Sequence, residues 1–466
     1  MSINNVKGTH DIIGKEAENY GYVENIMAQI SSFFAFQPVR PPVLEYSELF
    51  VRGVGESSDV VRKEMYTFLD KGDRSLTLRP EFTAGIIRLI VQNKLIPVNE
   101  LPLKFYYCGP VFRYERPQLG RYRQFNQFGV ESVGHNSPYA DVEVISLAYT
   151  ILQSLGLENV VIKINTLGDE ASRNAYRNAL RDYFKDKVAN MCEDCKQRYE
   201  LNPLRILDCK VPEDQMIVRG APKMSQFLSL ESQKRFLKVL DALREMNIPY
   251  EVDDTLVRGL DYYSETVFEF HYTSQKGNNY GAVGAGGHYD KLVHEIGGPD
   301  APGVGFSFGV ERIVNVLVDD GLIDNNPGQN LDIYVMPVGE ESQARAINIA
   351  DDLRLLGYKV DMCFDNVKLA NMFKRAEKKN AKLAVIIGEE EIKNDTLVVK
   401  NMATKEQFEI NVDDMEEKID AMFTKKHHCC HDGEKEDGHQ CCHEEKEKHQ
   451  RECCEGDECE CQKEGK

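Results

Sequence analysis

The sequence is short of the features that direct a chain into or across a membrane. No apolar run approaches the ~18 residues that a spanning helix needs, and residues 1–10 carry no basic-then-apolar leader pattern. A cytoplasmic protein is expected. An excess of positive charge is also missing: 57 Lys+Arg against 76 Asp+Glu leave a formal net charge of −19. Phosphate backbones are held by local positive charge, so this balance argues against a general nucleic-acid coat, although basic patches could still hold one folded RNA. A disulfide framework is lacking as well. Thirteen cysteines are an odd number, and they are unevenly placed. Five lie in the body (Cys108, Cys192, Cys195, Cys209, Cys363) and eight lie after residue 428, several as adjacent pairs, which is not the pattern of a secreted scaffold.

The last segment, 425–466, contains no Val, Ile, Leu, Met, Phe, Tyr or Trp. Without apolar side chains no core can form, so a disordered tail is expected in the absence of metal. It holds six of the eleven histidines and the cysteines Cys429, Cys430, Cys441, Cys442, Cys453, Cys454, Cys459 and Cys461. Thiolate and imidazole clusters of this kind suit soft or borderline metals such as zinc or copper(I). In the body, Cys192-x2-Cys195 with Cys209 has zinc-like spacing but is one ligand short. Ordinary reduced cysteines in an insertion are the preferred reading there.

The remaining chain is long enough for two or three domains with ample core. Its centre is the stretch 104–131, KFYYCGPVFRYERPQLGRYRQFNQFGVE. The pattern predicts two antiparallel strands joined by a long basic loop, with a kink or bulge at Gly109-Pro110. Side chains two apart share a strand face. Gln127, Gly129 and Glu131 are therefore expected together, as are Arg113 and Glu115. Such a face is a poor core and a good floor for a polar, polyanionic ligand; a solvated hairpin face is the alternative.

Further signals follow the chain order. After the polar lead-in Lys7–Asp11, Val23, Ile26, Met27, Ile30, Phe33 and Phe34 fall at helical spacing from Glu16. Val39–Val43 reads as an edge strand, since its prolines cannot donate to a ladder. Glu81 and Thr83 sit at a strand-to-helix junction, where they can cap the helix or hold an ammonium group. The region 170–250 reads as a mostly helical insertion. Glycines 281, 284, 286 and 287 suggest close approach of a ligand or another backbone. In Gly303–Ile313 a glycine-bearing strand enters a helix, with Gly305 and Gly309 flattening one face and Arg312 a turn into the helix. Residues 319–330 have linker composition. From residue 331 to 424 strands and helices alternate, predicting a mostly parallel sheet whose helix presents Lys374, Arg375, Lys378, Lys379 and Lys382 as a candidate RNA-backbone patch.

Taken together these segments resemble the class II aminoacyl-tRNA synthetases. The helix with Val39–Pro42, the Arg113/Glu115 hairpin and Gly303–Arg312 look like their three signatures in order. Leu256–Tyr263 and Gly284–Tyr289 are similar to two segments peculiar to the histidyl-tRNA synthetase family. The resemblance implies an α+β fold: an antiparallel catalytic sheet flanked by helices over 1–325, an α/β anticodon-binding domain over 331–424, and an appended tail over 425–466. It further implies a homodimer, ATP with Mg2+, L-histidine and tRNA(His) as substrates, and a histidyl-adenylate intermediate. By match to the motifs, Arg113 and Arg258 are the catalytic pair. Arg113, Glu115, Arg121 and Arg312 are implied at ATP, with Arg116 as a further candidate for ATP or the acceptor stem. Glu81, Phe82, Thr83, Gln127, Glu131, Arg258, Tyr262 and Tyr263 are implied at histidine. A synthetase-like histidine-sensing paralogue is the main rival, and it is disfavoured by the retained arginines and the module at 331–424. A metal-storage protein is disfavoured by the short length of the tail.

Overall fold

The computed structural model describes residues 3–98, 100–115, 121–324 and 330–423. The Cys/His-rich tail and Arg116 lie outside the described residues. Two compact units emerge, Met1–Gln329 and Asn330–Lys466.

The first unit is built on an eight-stranded sheet. Its strands run in the order Gln37–Pro38, Leu103–Phe112, Gln124–Val133, Gly303–Gly309, Asn279–Tyr289, Ser264–Thr273, Val160–Thr166, Tyr250–Val252. The six inner strands are antiparallel, but both edge strands pair parallel to their neighbours. The sheet is therefore mixed and not wholly antiparallel as expected. Parallel neighbours need long crossovers, and one of them is the helical insertion that precedes Tyr250–Val252.

The packing face is aromatic. Phe268 and Phe270 are fully buried and Phe308 is 1% exposed; Phe270 and Phe308 meet edge-on with centroids 5.7 Å apart. Helices Lys15–Phe33, Pro138–Ser154 and Val310–Asp319 cover this face with Val23, Met27, Ile145, Leu152, Ile313 and Leu317. Truncating one such ring to alanine costs roughly 3–5 kcal/mol. A smaller sheet, Leu44–Tyr46, Ser75–Leu78, Tyr66–Leu69, lies in the same unit.

Two local expectations are corrected. The edge strand covers only Gln37–Pro38, not Val39–Val43. The carbonyls of Pro41 and Pro42 instead accept from Arg79 Nη1 at 2.8 and 3.3 Å. No bulge occurs at Gly109-Pro110: the ladder runs unbroken from Leu103↔Val133 to Phe112↔Gln124. Pro110 is tolerated because its outer neighbour strand pairs only with Phe105 and Tyr106. Arg113 and Glu115 consequently stand beyond the strand, at the mouth of the loop. The glycines of Asn279–Tyr289 meet the expectation of close approach by another backbone at Gly286. A Cβ on Gly286 would lie 2.3 Å from the Gly305 carbonyl oxygen.

The second unit has the five-stranded order Val360–Met362, Ile333–Pro337, Leu383–Ile387, Thr396–Asn401, Gln407–Asn411. The first three are parallel and the last two are added antiparallel. Of the expected basic patch, Arg375 pairs with Asp365 at 2.7 Å, Lys382 with Asp332 at 2.9 Å, and Lys379 with Asp361. Much of its charge is thus answered locally.

Behind the large sheet lies a buried ionic group that the sequence did not advertise. His288 is fully buried, with Nδ1 2.9 Å from Asp141 and Nε2 3.2 Å from Asp290. Asp141 also accepts from Arg235 at 2.9 Å and from Thr266 at 2.7 Å. Burial alone would lower the His288 pKa, but Asp141 and Asp290 outweigh it and raise the value to about 9. The imidazolium is then favoured by folding. Its stabilising contribution is complete below the unfolded value near 6.5 and is lost as pH rises through 9. Denaturant unfolding between pH 6.5 and 9.5 should therefore show a loss roughly 2–4 kcal/mol larger in the wild type than in His288→Asn, which should be the less stable of the two at pH 6.

Candidate active site

Strand alternation divides the large sheet into two chemistries. Phe128 and Val130, Phe306 and Phe308, and Phe268 and Phe270 enter the core. The residues between them, Gln127 and Glu131, Gly305, Ser307 and Gly309, and Glu269 and His271, line a cleft of about 660 Å³ on the opposite face. The hairpin face is thus the floor of a cavity rather than a solvated surface.

Glu131 sits deepest, at 1% exposure. Thr83 Oγ1 donates to its Oε1 at 2.7 Å, Tyr289 Oη to its Oε2 at 2.8 Å, and Tyr107 Oη approaches Oε1 at 3.4 Å. Burial pushes this carboxyl up to about 8, against the lowering effect of those hydroxyls. Gly305 makes the arrangement possible, because a Cβ there would fall 2.1 Å from Glu131 Oε2. Beside it, Gln127 Nε2 donates to Ser307 Oγ at 2.9 Å, while Gln127 Oε1 is buried with no partner among the described residues. Glu81 accepts from the backbone N–H groups of Thr83 at 2.6 Å and Ala84 at 2.8 Å. It therefore caps the helix Thr83–Gln92 and lines the cleft at the same time. Tyr262 and Tyr263 complete this end, their hydroxyls 3.5 Å apart. Phe82 departs from expectation: its ring is buried, stacked on Tyr107 at 4.3 Å with the Arg79 guanidinium 3.8 Å from its centre, and it does not line the cleft.

The other end is cationic. Arg113, Arg121, Arg258 and Arg312 all line the same cleft, with Glu115 among them. Arg113 Nε donates to the Pro80 carbonyl at 2.8 Å and its guanidinium lies 5.6 Å from the Phe125 ring centre. Arg312 Nη1 donates to the Ala282 carbonyl at 2.6 Å. Arg258 Nη1 donates to Glu269 at 2.8 Å, and its Nε is buried without a partner among the described residues. Arg121 stands 3.5 Å from Glu115. Burial, then the nearby charge of Arg121, holds Arg312 below the usual guanidinium range. A cleft with such an end suits a polyanion; the hydroxyl-and-carboxyl end suits a small ring carrying both a donor and an acceptor.

Several lining residues had no signal that the sequence reading used. Tyr107 and Tyr289 lie within recognised stretches, and the period-two pattern through Glu131 could have placed Tyr107 near it. Glu269 follows the segment that contains Arg258. Arg205 and Asp208 arrive from the insertion, and only the fold brings them to the cleft. Glu311 is buried by the helix Val310–Asp319; its Oε1 accepts from Asn126 N at 2.7 Å and its Oε2 has no partner among the described residues. Burial pushes that carboxyl up to about 7.

Comparison with known proteins supplies a context for this geometry. Residues 8–313 match the family model described as Histidyl-tRNA synthetase, and residues 332–422 match one described as Anticodon binding domain. A Histidine--tRNA ligase of Bacillus cytotoxicus is 44% identical over 416 residues, covering 89% of this chain and 97% of the relative. One from Bacillus subtilis is 42% identical over 414 residues, covering 89% and 97%. The crystal structure of apo S. aureus histidyl-tRNA synthetase superposes with a TM-score of 0.75 at 35% identity, over 90% of this chain and all of that one.

The raised Glu131 pKa has a measurable consequence for stability. An acid with a higher pKa folded than unfolded binds extra protons in the folded state between the two values, so stability falls as pH rises from about 4.5 to about 8. Glu131→Gln removes that charge. Its melting temperature should exceed the wild type's at pH 8–9 by several degrees, and the gain should vanish near pH 4.5. Thermal unfolding at four or five pH values checks this; a gain independent of pH contradicts the assignment.

Proposed function

The chain belongs to the histidyl-tRNA synthetase family, whose members join L-histidine to tRNA(His), and on that premise we propose how the cleft carries out this ligation. ATP lies at the arginine end and histidine at the Glu131 end. The histidine carboxylate oxygen attacks the α-phosphorus, the bond to the β-phosphate oxygen breaks, and pyrophosphate leaves. A 3′-terminal hydroxyl of tRNA then attacks the histidyl carbonyl and AMP departs.

The roles follow from what each side chain offers. Arg113 and Arg258 face the α-phosphate and the reacting carboxylate, where negative charge spreads in the transition state; donors already in place there lower the barrier because they need no rearrangement. Arg312 holds the outer phosphates, and Glu115 and Arg121 frame the nucleotide. Glu131 accepts from one imidazole N–H and Tyr263 bonds the other nitrogen. Gln127 Oε1, Thr83 and Glu81 receive the α-ammonium group, and Tyr262 closes the pocket behind them. A site that pairs both ring nitrogens rejects analogues lacking them by up to ~10⁴–10⁵, since its own polar groups would be left buried and unpaired. Glu115 and Glu311, the latter through its unpartnered oxygen, would hold the magnesium ion that accompanies ATP and that neutralises charge on the outer phosphates.

The observation that carries this reading is the meeting of Arg113, Arg258 and Arg312 with Glu131 in one cleft. A homodimer is supported by apolar side chains exposed in matching rows of the small sheet: Leu44 at 47%, Tyr46 at 55% and Phe68 at 45%. The unit from residue 330 supplies the anticodon contact, and a cytoplasmic location fits a chain in which no described helix is long and apolar enough to cross a membrane.

Histidine-dependent ATP–pyrophosphate exchange tests the assignment directly. Arg258→Ala should reduce exchange at least 10³-fold with an unchanged elution volume on size exclusion. Exchange at the wild-type rate would remove Arg258 from the mechanism. Phe68→Asp should shift the sedimentation of the protein toward monomer at micromolar concentration, whereas an unchanged dimer would exclude the small-sheet interface.

A further inference from the structure

We propose that Cys192, Cys195, Cys209 and Asp214 form a structural zinc site that clamps the helical insertion against the wall of the active-site cleft. The fourth ligand missing from the cysteine spacing is supplied by Asp214. Cys192 directly precedes the helix Glu193–Leu201 and Cys195 lies in its first turn. Cys209 follows the 3-10 helix Pro203–Asp208, and Asp214 lies in the first turn of Pro212–Val218. One ligand atom from each of the four lies within 4.8 Å of all the others.

The distances suit a tetrahedral ion. Cys192 Sγ and Cys209 Sγ are 3.8 Å apart, and Cys209 Sγ is 3.2 Å from Asp214 Oδ2. A tetrahedron with Zn–S of about 2.3 Å has an S–S edge of about 3.8 Å. A disulfide needs about 2.05 Å, and all three cysteines are free.

The carboxylate is a second, independent pointer. Asp214 is 2% exposed, yet no basic side chain pairs with it among the described residues. Its partners are the Cys192 N–H at 3.1 Å and the Cys209 thiol, a weak donor. A buried carboxylate is costly unless a cation or metal answers it. On binding, the thiol protons pass to solvent as thiolates take the metal. Three sulfurs and one oxygen select zinc over magnesium or calcium, and four protein ligands leave no open position, so the role is structural.

The segment so closed also forms part of the catalytic wall. Arg198 and Arg205 both donate to Asp59, at 2.9 and 3.1 Å, and Asn202 donates to Asp261 at 2.9 Å. Arg205, Leu207, Asp208, Cys209 and Lys210 line the cleft, with Arg205 beside Gly259 of the Arg258 segment. Fixing Cys209 relative to Cys192 therefore sets the position of that wall.

The test uses full-length protein and two measurements. Zinc content by plasma mass spectrometry is compared between wild type and Cys209→Ser, both carrying the same tail, after equal dialysis. The wild type should retain about one more zinc per chain. In the wild type alone, iodoacetamide labelling is mapped by peptide mass spectrometry before and after chelation. Labelling of half-buried Cys192 should rise at least tenfold after chelation, with Cys108 unchanged. The second measurement decides the matter even if Cys209→Ser does not fold. Equal zinc contents in folded proteins, or labelling of Cys192 that ignores the chelator, overturns the proposal.

Discussion

A carboxyl group at 1% exposure in the middle of a sheet survives only if both oxygens find donors, and Glu131 draws them from three elements. Thr83 opens a helix, Tyr107 comes from the neighbouring strand, and Tyr289 comes from a strand two places away. Their hydroxyls tie those elements together at one buried point. The same constraint explains Gly305, whose missing side chain leaves the space that the carboxyl fills. Burial of such a group lowers stability at neutral pH, a common pattern where a site is built for a ligand rather than for the fold.

The cationic end obeys a different rule. Like charges crowd there, and burial together with the nearby charge of Arg121 lowers the Arg312 pKa, so each guanidinium needs an anchor. Arg113 and Arg312 are anchored by carbonyl oxygens of Pro80 and Ala282, which orient without neutralising. Arg258 is anchored by Glu269, a carboxylate that it shares with His271. The cleft thus gathers guanidinium groups at one end without a net excess of positive charge in its lining, inside a protein whose total is −19. Global charge governs solubility and long-range steering, whereas phosphate binding is decided by a few fixed groups within a low-dielectric pocket.

Which of this was legible in the sequence depends on whether a pattern is local. Strand alternation from Gln127 to Glu131 predicted the polar floor, and the alternation of strands and helices after residue 331 predicted a mostly parallel sheet, whose first three strands are parallel. Junction residues were harder. Glu81 was read either as a helix cap or as a ligand group, and it does cap the helix while facing the cleft. Phe82, next to it, points the other way, into a stack with Tyr107 that no spacing rule announces. Proline carries a local signal, but its outcome depends on neighbours: Pro110 sits in an unbroken ladder only because the adjoining strand is two residues long. The Asp141–His288–Asp290 group joins positions 147 residues apart and had no local trace.

The insertion shows the same limit in its sharpest form. Its own core is small, and Cys195 and Cys209 are part of it. Small modules of this kind gain much from a cross-link. Asp214, five residues after Cys209, is an ordinary acidic residue at the start of a short helix, and acidic residues are common there for reasons of helix polarity alone. Only the turn after Pro203–Asp208, which brings Cys209 back onto Cys192, separates a ligand from a helix-capping charge. The tail's cysteines have no such turn that sequence can reveal, since no apolar residue is there to impose one. Metal capacity can therefore be read from composition, whereas a metal site requires a fold to hold its ligands at tetrahedral distance.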